Sequence, residues 1–306
     1  MGKQKPVLVT GSSTGIGFDI TNYLSGNGYF VFAGVRKESD FDKFNDENIR
    51  PVILDVTKPD TINSCFSYIE SQGYGLIGIV NNAGIGSLGF FSSFSESDFH
   101  EIFDVNVYGP WRLVNTFIPL LVESKGYVIN IGSQGGVIGG KKLYGPYMMT
   151  KHALEVYTDS LGEELKAHGV KVSIIEPGGI ESAIGNNSQE GITRRLANTP
   201  APLNKEALQI KEFLSQPSPE FDKSKPESET NRIASSARTV SEVVLEVLKN
   251  SNPKPRYLVG THWEGMRAIN HTMKLLLQIN DNPKHNFPLD KLIEIFQQHH
   301  QEYYNT

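Results

Sequence analysis

Short apolar runs and longer stretches of helical periodicity take turns along most of the chain. The runs at 6–10, 29–35, 51–56, 75–80, 126–131, 171–176 and 256–259 are mostly apolar, as strands buried on both faces are. Between them lie helical patterns. One opens at Gly17 and is carried by Ile20, Tyr23 and Leu24. Others cover 58–72, 95–121, 144–168 and 239–248, the last with Val240, Val243, Val244 and Val247 facing inward. Ser95 and Asp98 make a capping-box variant at the start of 95–121, and Pro110 predicts a kink or break there near Tyr108 and Gly109. Strand alternating with helix predicts an α/β fold with a doubly wound, seven-stranded parallel sheet and helices on both faces. The pattern changes over 181–231, which is rich in Ser, Pro, Gln, Asn and charge. Leu196 and 207–214 mark short helices in it, and its length predicts a functional lid. Past 260, apolar residues at Met266, Ile269, Met273, Leu276 and Leu277, then over 289–296, predict a helical C-terminal extension. One domain of 1–260 with an extension of 261–306 packed on it is the expected organisation.

Chemistry enters at the first turn. The strand at 6–10 runs directly into Gly11-Ser12-Ser13-Thr14-Gly15-Ile16-Gly17 and then into a helix. Glycines allow a tight turn and close approach, and a helix N-terminus offers free N–H groups and partial positive charge to a pyrophosphate. The second strand ends in Arg36-Lys37, with no acid before Glu38. An acid there would accept from a ribose 2′-OH, whereas an Arg accommodates a 2′-phosphate, so NADP(H) is favoured and NAD(H) is the lesser alternative. Ser13 offers a hydroxyl to the same phosphate. Asp55, at the end of the third strand, is placed to meet an adenine edge. Asn81-Asn82-Ala83-Gly84, at the end of the fourth, suits both tying strands together and a flat shelf for a nucleotide.

Bulk properties remove other classes. A net charge of −5 argues against nucleic-acid binding through a basic surface. Cys65 is the single cysteine, so no intramolecular disulfide forms; a buried thiol and a reducing, cytoplasmic location are expected. No signal-peptide pattern, membrane span or metal-ligand spacing is evident; His299-His300 reads as a solvated pair in a polar tail.

The remaining candidates lie in the middle of the chain. Asn106 sits among Phe103, Val105 and Val107, where an amide needs hydrogen bonds. Ser133 follows the fifth strand, at the edge where open parallel sheets bind ligands. Tyr147 and Lys151 lie one turn apart on a helix face, and a cation so placed is expected to lower the phenol pKa.

Taken in order, Thr10-Gly11-x-x-x-Gly15-x-Gly17, Asp55, Asn81-Asn82-Ala83-Gly84, Asn106, Ser133, Tyr147-x-x-x-Lys151 and Pro177-Gly178 resemble the short-chain dehydrogenase/reductase family in its single-domain branch. The likeness spans about 6–182, more loosely to 259, and the basic pair Arg36-Lys37 is similar to that of its steroid- and retinol-type members. The resemblance implies a Rossmann-type fold and hydride transfer between a nicotinamide and an alcohol or carbonyl. It implies Tyr147 as general acid/base, Lys151 as the residue bonding the nicotinamide ribose, Ser133 as the holder of the substrate oxygen, and Asn106 as the positioner of a relay water. It adds Thr10, Ile16, Val56, Pro177, Gly178, Ile180 and Ser182 to the cofactor contacts. Ser182 stands where the family commonly has Thr. A homodimer or homotetramer is the family expectation. Ile85, Phe90, Leu143, Tyr144, Met148 and Ile184 are candidate pocket walls, which points to an apolar or aromatic substrate. A non-catalytic dinucleotide sensor on the same fold is the alternative.

Overall fold

The computed structural model describes residues 5–180, 189–216 and 221–305. Seven strands form one parallel sheet: β1 (Pro6–Thr10), β2 (Phe30–Val35), β3 (Ile49–Ile53), β4 (Gly78–Asn81), β5 (Tyr127–Ile131), β6 (Lys171–Pro177) and β7 (Arg256–Val259). Their order is β3-β2-β1-β4-β5-β6-β7. The sheet grows outward in both directions from β1 and β4, and that reversal opens a crevice at their carboxyl ends.

The apolar runs become strands because both faces are covered. On one face α1 (Gly15–Gly26) and α8 (Ala237–Lys249) pack Ile20, Leu24, Val240 and Val244 against Val7, Val9, Val31 and Ile129. On the other, α2 (Pro59–Ser71), α4 (Gly109–Ser124) and α5 (Gly145–Lys166) pack Ile62, Leu113, Phe117 and Leu161 against Leu8, Phe32, Ile79 and Val128. Full burial of each such side chain contributes about 1.5–3 kcal/mol. Cys65 belongs to this second layer; burial pushes its thiol up to about 12, which leaves it inert.

Two boundaries differ from the periodicity. The fourth strand starts at Gly78 rather than residue 75, because Gly73 and Gly75 adopt φ of +68° and +73°, a turn rather than a strand. The stretch read as one helix over 95–121 is three pieces: α3 (Glu96–Phe103), a π-helical turn (Asp104–Tyr108), and α4. The wide turn, closed by Gly109 N–H on the Asp104 carbonyl, lies just before Pro110, which has no N–H to give. The capping box at Ser95 and Asp98 forms as expected, each side chain accepting from the other residue's N–H.

The lid segment contains α6 (Gln189–Ala197) and α7 (Asn204–Leu214). Ile192, Leu196 and Ala207 close on Phe90 in a small satellite core, with Leu143 and Leu88 against it. After β7 come α9 (His262–Asn280) and α10 (Leu289–Asn305). Glu264 and Ala268 of α9 are buried, while Ile269, Leu277, Leu289 and Phe296 of the two helices are exposed. Among the described residues, no helix is long and apolar enough to cross a membrane, and no cluster of three metal-ligating side chains forms.

Candidate active site

A cleft of about 1130 Å³ runs along the carboxyl edge of the sheet. Its β1 end is built by backbone. Gly11 and Gly15 take φ of +65° and +57°, a conformation glycine adopts without strain. A Cβ on Gly17 would collide with the Gly11 carbonyl and the Asn82 amide, so α1 can start this close only with glycine there. No side chain caps the N-terminus of α1. Its free first-turn N–H groups, with Ser13, Thr14, Gly15 and Ile16 on the wall, fit the pyrophosphate of a dinucleotide.

The wall continues through Arg36, Asp55 and Val56 to Asn82, Ala83 and Gly84, then Pro177, Gly178 and Ile180. Arg36 is exposed at the end of β2; Lys37 is also exposed but is not part of the wall. Thr10 and Gly17 lie beneath it as supports. Thr10 Oγ1 accepts from the Asn82 and Ala83 N–H groups, and Asn82 Nδ2 donates back to the Thr10 carbonyl at 2.9 Å. Asn81 turns inward instead, donating to Asn130 Oδ1 at 2.8 Å and pinning β4 to β5. Asp55 Oδ1 accepts from Thr57 N–H and Oγ1, which fixes the carboxylate at the rim. Ser182 and Ile184 lie outside the described residues.

At the β5 end, Ser133, Tyr147 and Lys151 converge on the same cleft. Ser133 Oγ accepts from Gly135 N–H at 3.0 Å and lies on the same side of Gly135 as the Tyr147 ring. Lys151 is buried; its Nζ donates to the Ile131 carbonyl at 2.9 Å and stands 5.8 Å from the centre of the Tyr147 ring. The electrostatics correct one expectation. Burial raises the Tyr147 phenol above its ordinary value, only partly offset by the Ser133 hydroxyl, with Tyr144 raising it further. Burial also lowers Lys151 to about 8, against the opposing pull of Glu155. Desolvation outweighs the neighbouring cation because the ammonium is directed at the Ile131 carbonyl. The phenol therefore keeps its proton and is suited to donating it.

Asn106, in the π-helical turn, is wholly engaged. Its Oδ1 accepts from Ile85 N–H at 2.9 Å, and its Nδ2 donates to the Ile85 carbonyl and to Thr150 Oγ1. It ties the segment after Gly84 to the helix bearing Tyr147, and its side chain does not reach the cleft wall. Of the apolar wall candidates, Ile85, Tyr144 and Met148 line the cleft, whereas Phe90 and Leu143 pack under the lid.

The family profile of the short chain dehydrogenases matches residues 5–193. The chain belongs to the short-chain dehydrogenase family. It is 36% identical over 190 residues to the mitochondrial D-beta-hydroxybutyrate dehydrogenase of Bos taurus, a match covering 58% of this chain and only 55% of the bovine protein. It is 32% identical to a 3-amino-tetrahydro-pyrrolizinone reductase of Xenorhabdus hominickii, covering 84% of this chain and 87% of that protein. With retinol dehydrogenase 7 of Rattus norvegicus it shares 30% identity over 84% of this chain and 81% of the relative. Among solved structures, a short-chain dehydrogenase from Streptomyces avermitilis superposes with a TM-score of 0.73 at 21% identity, over 92% of this chain and 96% of that one. That likeness establishes the fold.

Within this short-chain dehydrogenase, several cleft groups come from the last third of the chain and went unnoticed in the sequence. Glu264 is fully buried and accepts from Gly179 N–H at 2.7 Å, from Thr261 N–H and from Arg232. It thereby fixes the backbone beside Gly178, where a Cβ would strike the Glu264 carboxylate. Arg232 and Arg267 line the cleft. The one readable signal was Thr261-x-x-Glu264, a capping box at the start of α9.

Proposed function

We propose that this protein is an NADP(H)-dependent oxidoreductase that moves a hydride between the nicotinamide and an alcohol or carbonyl carbon of a small molecule with an apolar or aromatic body. The observation that carries the reading is the meeting of Ser133, Tyr147 and Lys151 at the carboxyl end of β5, in the cleft whose other end is the uncapped N-terminus of α1. The nicotinamide, when bound, supplies or accepts the hydride. The chain supplies the rest. In reduction, the Ser133 hydroxyl holds the substrate oxygen and Tyr147 gives it a proton as negative charge grows there. Lys151 contributes positive charge beside the phenol. Asn106 keeps the Ile85 segment and α5 in register and so positions Tyr147 without touching the reacting atoms.

The preference for NADP(H) rests on Arg36, which lines the cleft at the end of β2 where no carboxylate competes for a ribose 2′-OH. The apolar substrate body rests on Ile85, Leu88, Ile138, Met148 and Ile192 in the wall. The relatives named as dehydrogenases and a reductase are consistent with this reaction class. The test is to mix purified protein with NADPH or NADH and a panel of aldehydes and ketones, following nicotinamide absorbance. Turnover with NADPH is expected; tight NADPH binding with no turnover of any panel member would reject the reading. Arg36→Ala should weaken NADPH at least tenfold more than NADH, and equal weakening of both would remove the cofactor assignment.

A further inference from the structure

The substrate end of the cleft holds more positive charge than an apolar ligand needs. Lys141, Arg232 and Arg267 all line the cleft, Arg267 alongside Gln134 and away from the glycine turn of β1. Both guanidiniums stack on one indole: Arg267 lies 5.1 Å and Arg232 lies 5.6 Å from the centre of Trp263. Arg267 donates to Gln134 Oε1 at 3.0 Å and to Glu229 Oε1 at 2.7 Å. Gln134 is buried and is the residue next to Ser133, so Arg267 is tied one residue from the candidate holder of the substrate oxygen. Arg232 is held by buried Glu264. Lys141 reaches Glu229 from the other side at 2.6 Å.

These three cations face two carboxylates, so one positive charge is in excess. Each guanidinium has five N–H donors, and the bonds named engage only Gln134, Glu229 and Glu264. Both Nε atoms are shielded from water and have no partner among the described residues. Two arginines kept together and under-satisfied carry a desolvation cost that an anion in the cleft would offset. Burial opposes ionisation of Glu229, but its hydrogen bonds from Lys141 and Arg267 hold it down to about 2.

We propose that Arg267, Arg232 and Lys141 form a carboxylate-binding subsite, so that the substrate is a hydroxy or keto acid whose apolar body lies along Ile85, Met148 and Ile192. This rests on the reading of the cleft as the site of an alcohol/carbonyl oxidoreductase. The subsite selects substrate and leaves the hydride and proton transfers as described.

The experiment compares 4-oxo acids, 4-oxo-4-phenylbutanoate among them, with their methyl esters, using the full-length protein and NADPH. The acid should exceed its ester at least tenfold in kcat/KM, as expected for a charge-assisted hydrogen bond to arginine. It should also raise the melting temperature of the NADP⁺-loaded protein more than the ester does. Arg267→Gln should collapse the acid-to-ester ratio while Arg267→Lys restores part of it; Lys141→Gln, at an exposed position, should lower the ratio without risk to folding. NADPH binding by each variant certifies the fold. Esters equal to or better than acids in both readouts, or a ratio unmoved by Arg267→Gln and Lys141→Gln, would overturn the subsite. Absence of turnover with every compound would instead count against the oxidoreductase reading, and the thermal comparison of acid and ester would still decide the subsite.

Discussion

Tyr147 carries the sharpest consequence at the scale of single residues. Its phenol is raised by burial, so its proton is retained. Tyr147→Phe removes that proton and little volume. Turnover should fall by about 10²–10⁴-fold, the range for a positioned acid, while dinucleotide binding stays within a few-fold. Turnover near wild type, measured by nicotinamide absorbance, would remove Tyr147 from the role proposed for it. The pairing of Tyr147 with Lys151 was readable because helix geometry fixes residues four apart to one face. The direction of the pKa was not readable, since it depends on how deeply both groups are buried and on which acceptor Lys151 finds. Asn106 was legible as a polar residue needing partners, but not its partners: Ile85 and Thr150 lie 21 and 44 positions away. Arg232, in an irregular segment, and Arg267, on the α9 helix, had no signal at all, because a charged residue on a loop or a helix face resembles a solvated one until the fold brings a cleft to it.

At the scale of elements, the segment expected to form a lid is fastened by one buried ion pair as well as by its apolar contacts. Arg195 of α6 and Asp98 of α3 are each only 7% exposed in their side chains. Arg195 also donates to the Leu88 carbonyl at 2.8 Å and stacks on Phe94 at 4.7 Å. Arg194 reaches the same carboxylate from the surface. Asp98 additionally closes the capping box of α3, so one carboxylate serves the helix start and the lid. Breaking a buried pair by removing one partner costs about 3–5 kcal/mol, because it leaves an uncompensated charge. In Asp98→Asn that cost should fall on the lid: limited proteolysis should cut within 189–216 at least tenfold faster, with the circular dichroism of the sheet and its helices unchanged. A cleavage rate equal to wild type would mean that the satellite core around Phe90, Ile192 and Leu196 holds the lid unaided. The two short helices of this segment and the capping box were legible in the sequence. The sequence could not announce their connection, which spans 97 positions. The π-helical turn escaped for a related reason: Pro110 predicts a break, while the form of the break depends on what Asn106 bonds to and on Gly109 seating against Val56.

For the molecule as a whole, the seven-stranded parallel sheet follows from patterning, whereas the pH dependence of stability follows from buried charges that patterning does not reveal. Behind the cleft, Glu155 of α5 and Glu176 of β6 are buried, with Arg256 Nε 3.2 Å from Glu155 and Asp159 sharing the same guanidinium. Burial raises both carboxyls, Glu176 to about 8, so the pair holds a proton at neutral pH. A carboxyl whose folded pKa exceeds its unfolded value stabilises fully below the unfolded value and loses that contribution as pH rises through the folded one. Between its ordinary 4.5 and about 8, the unfolded chain releases a proton that folded Glu176 keeps, so this contribution to stability falls as pH rises. Lys151 acts in a separate window. Lowered from 10.5 to about 8, it disfavours the folded state below that range and relents as pH climbs through it. Glu229, held near 2, contributes stability above its ordinary 4.5 that is lost as pH falls toward 2. With these signs, the melting temperature should peak on the acid side, near about pH 5, and decline toward pH 8. Glu176→Gln keeps the shape but cannot titrate. Its melting temperature should change distinctly less between pH 5 and 8 than that of the wild type, as read by differential scanning calorimetry. Parallel curves for the two proteins across that window would show that the shared proton does not govern it.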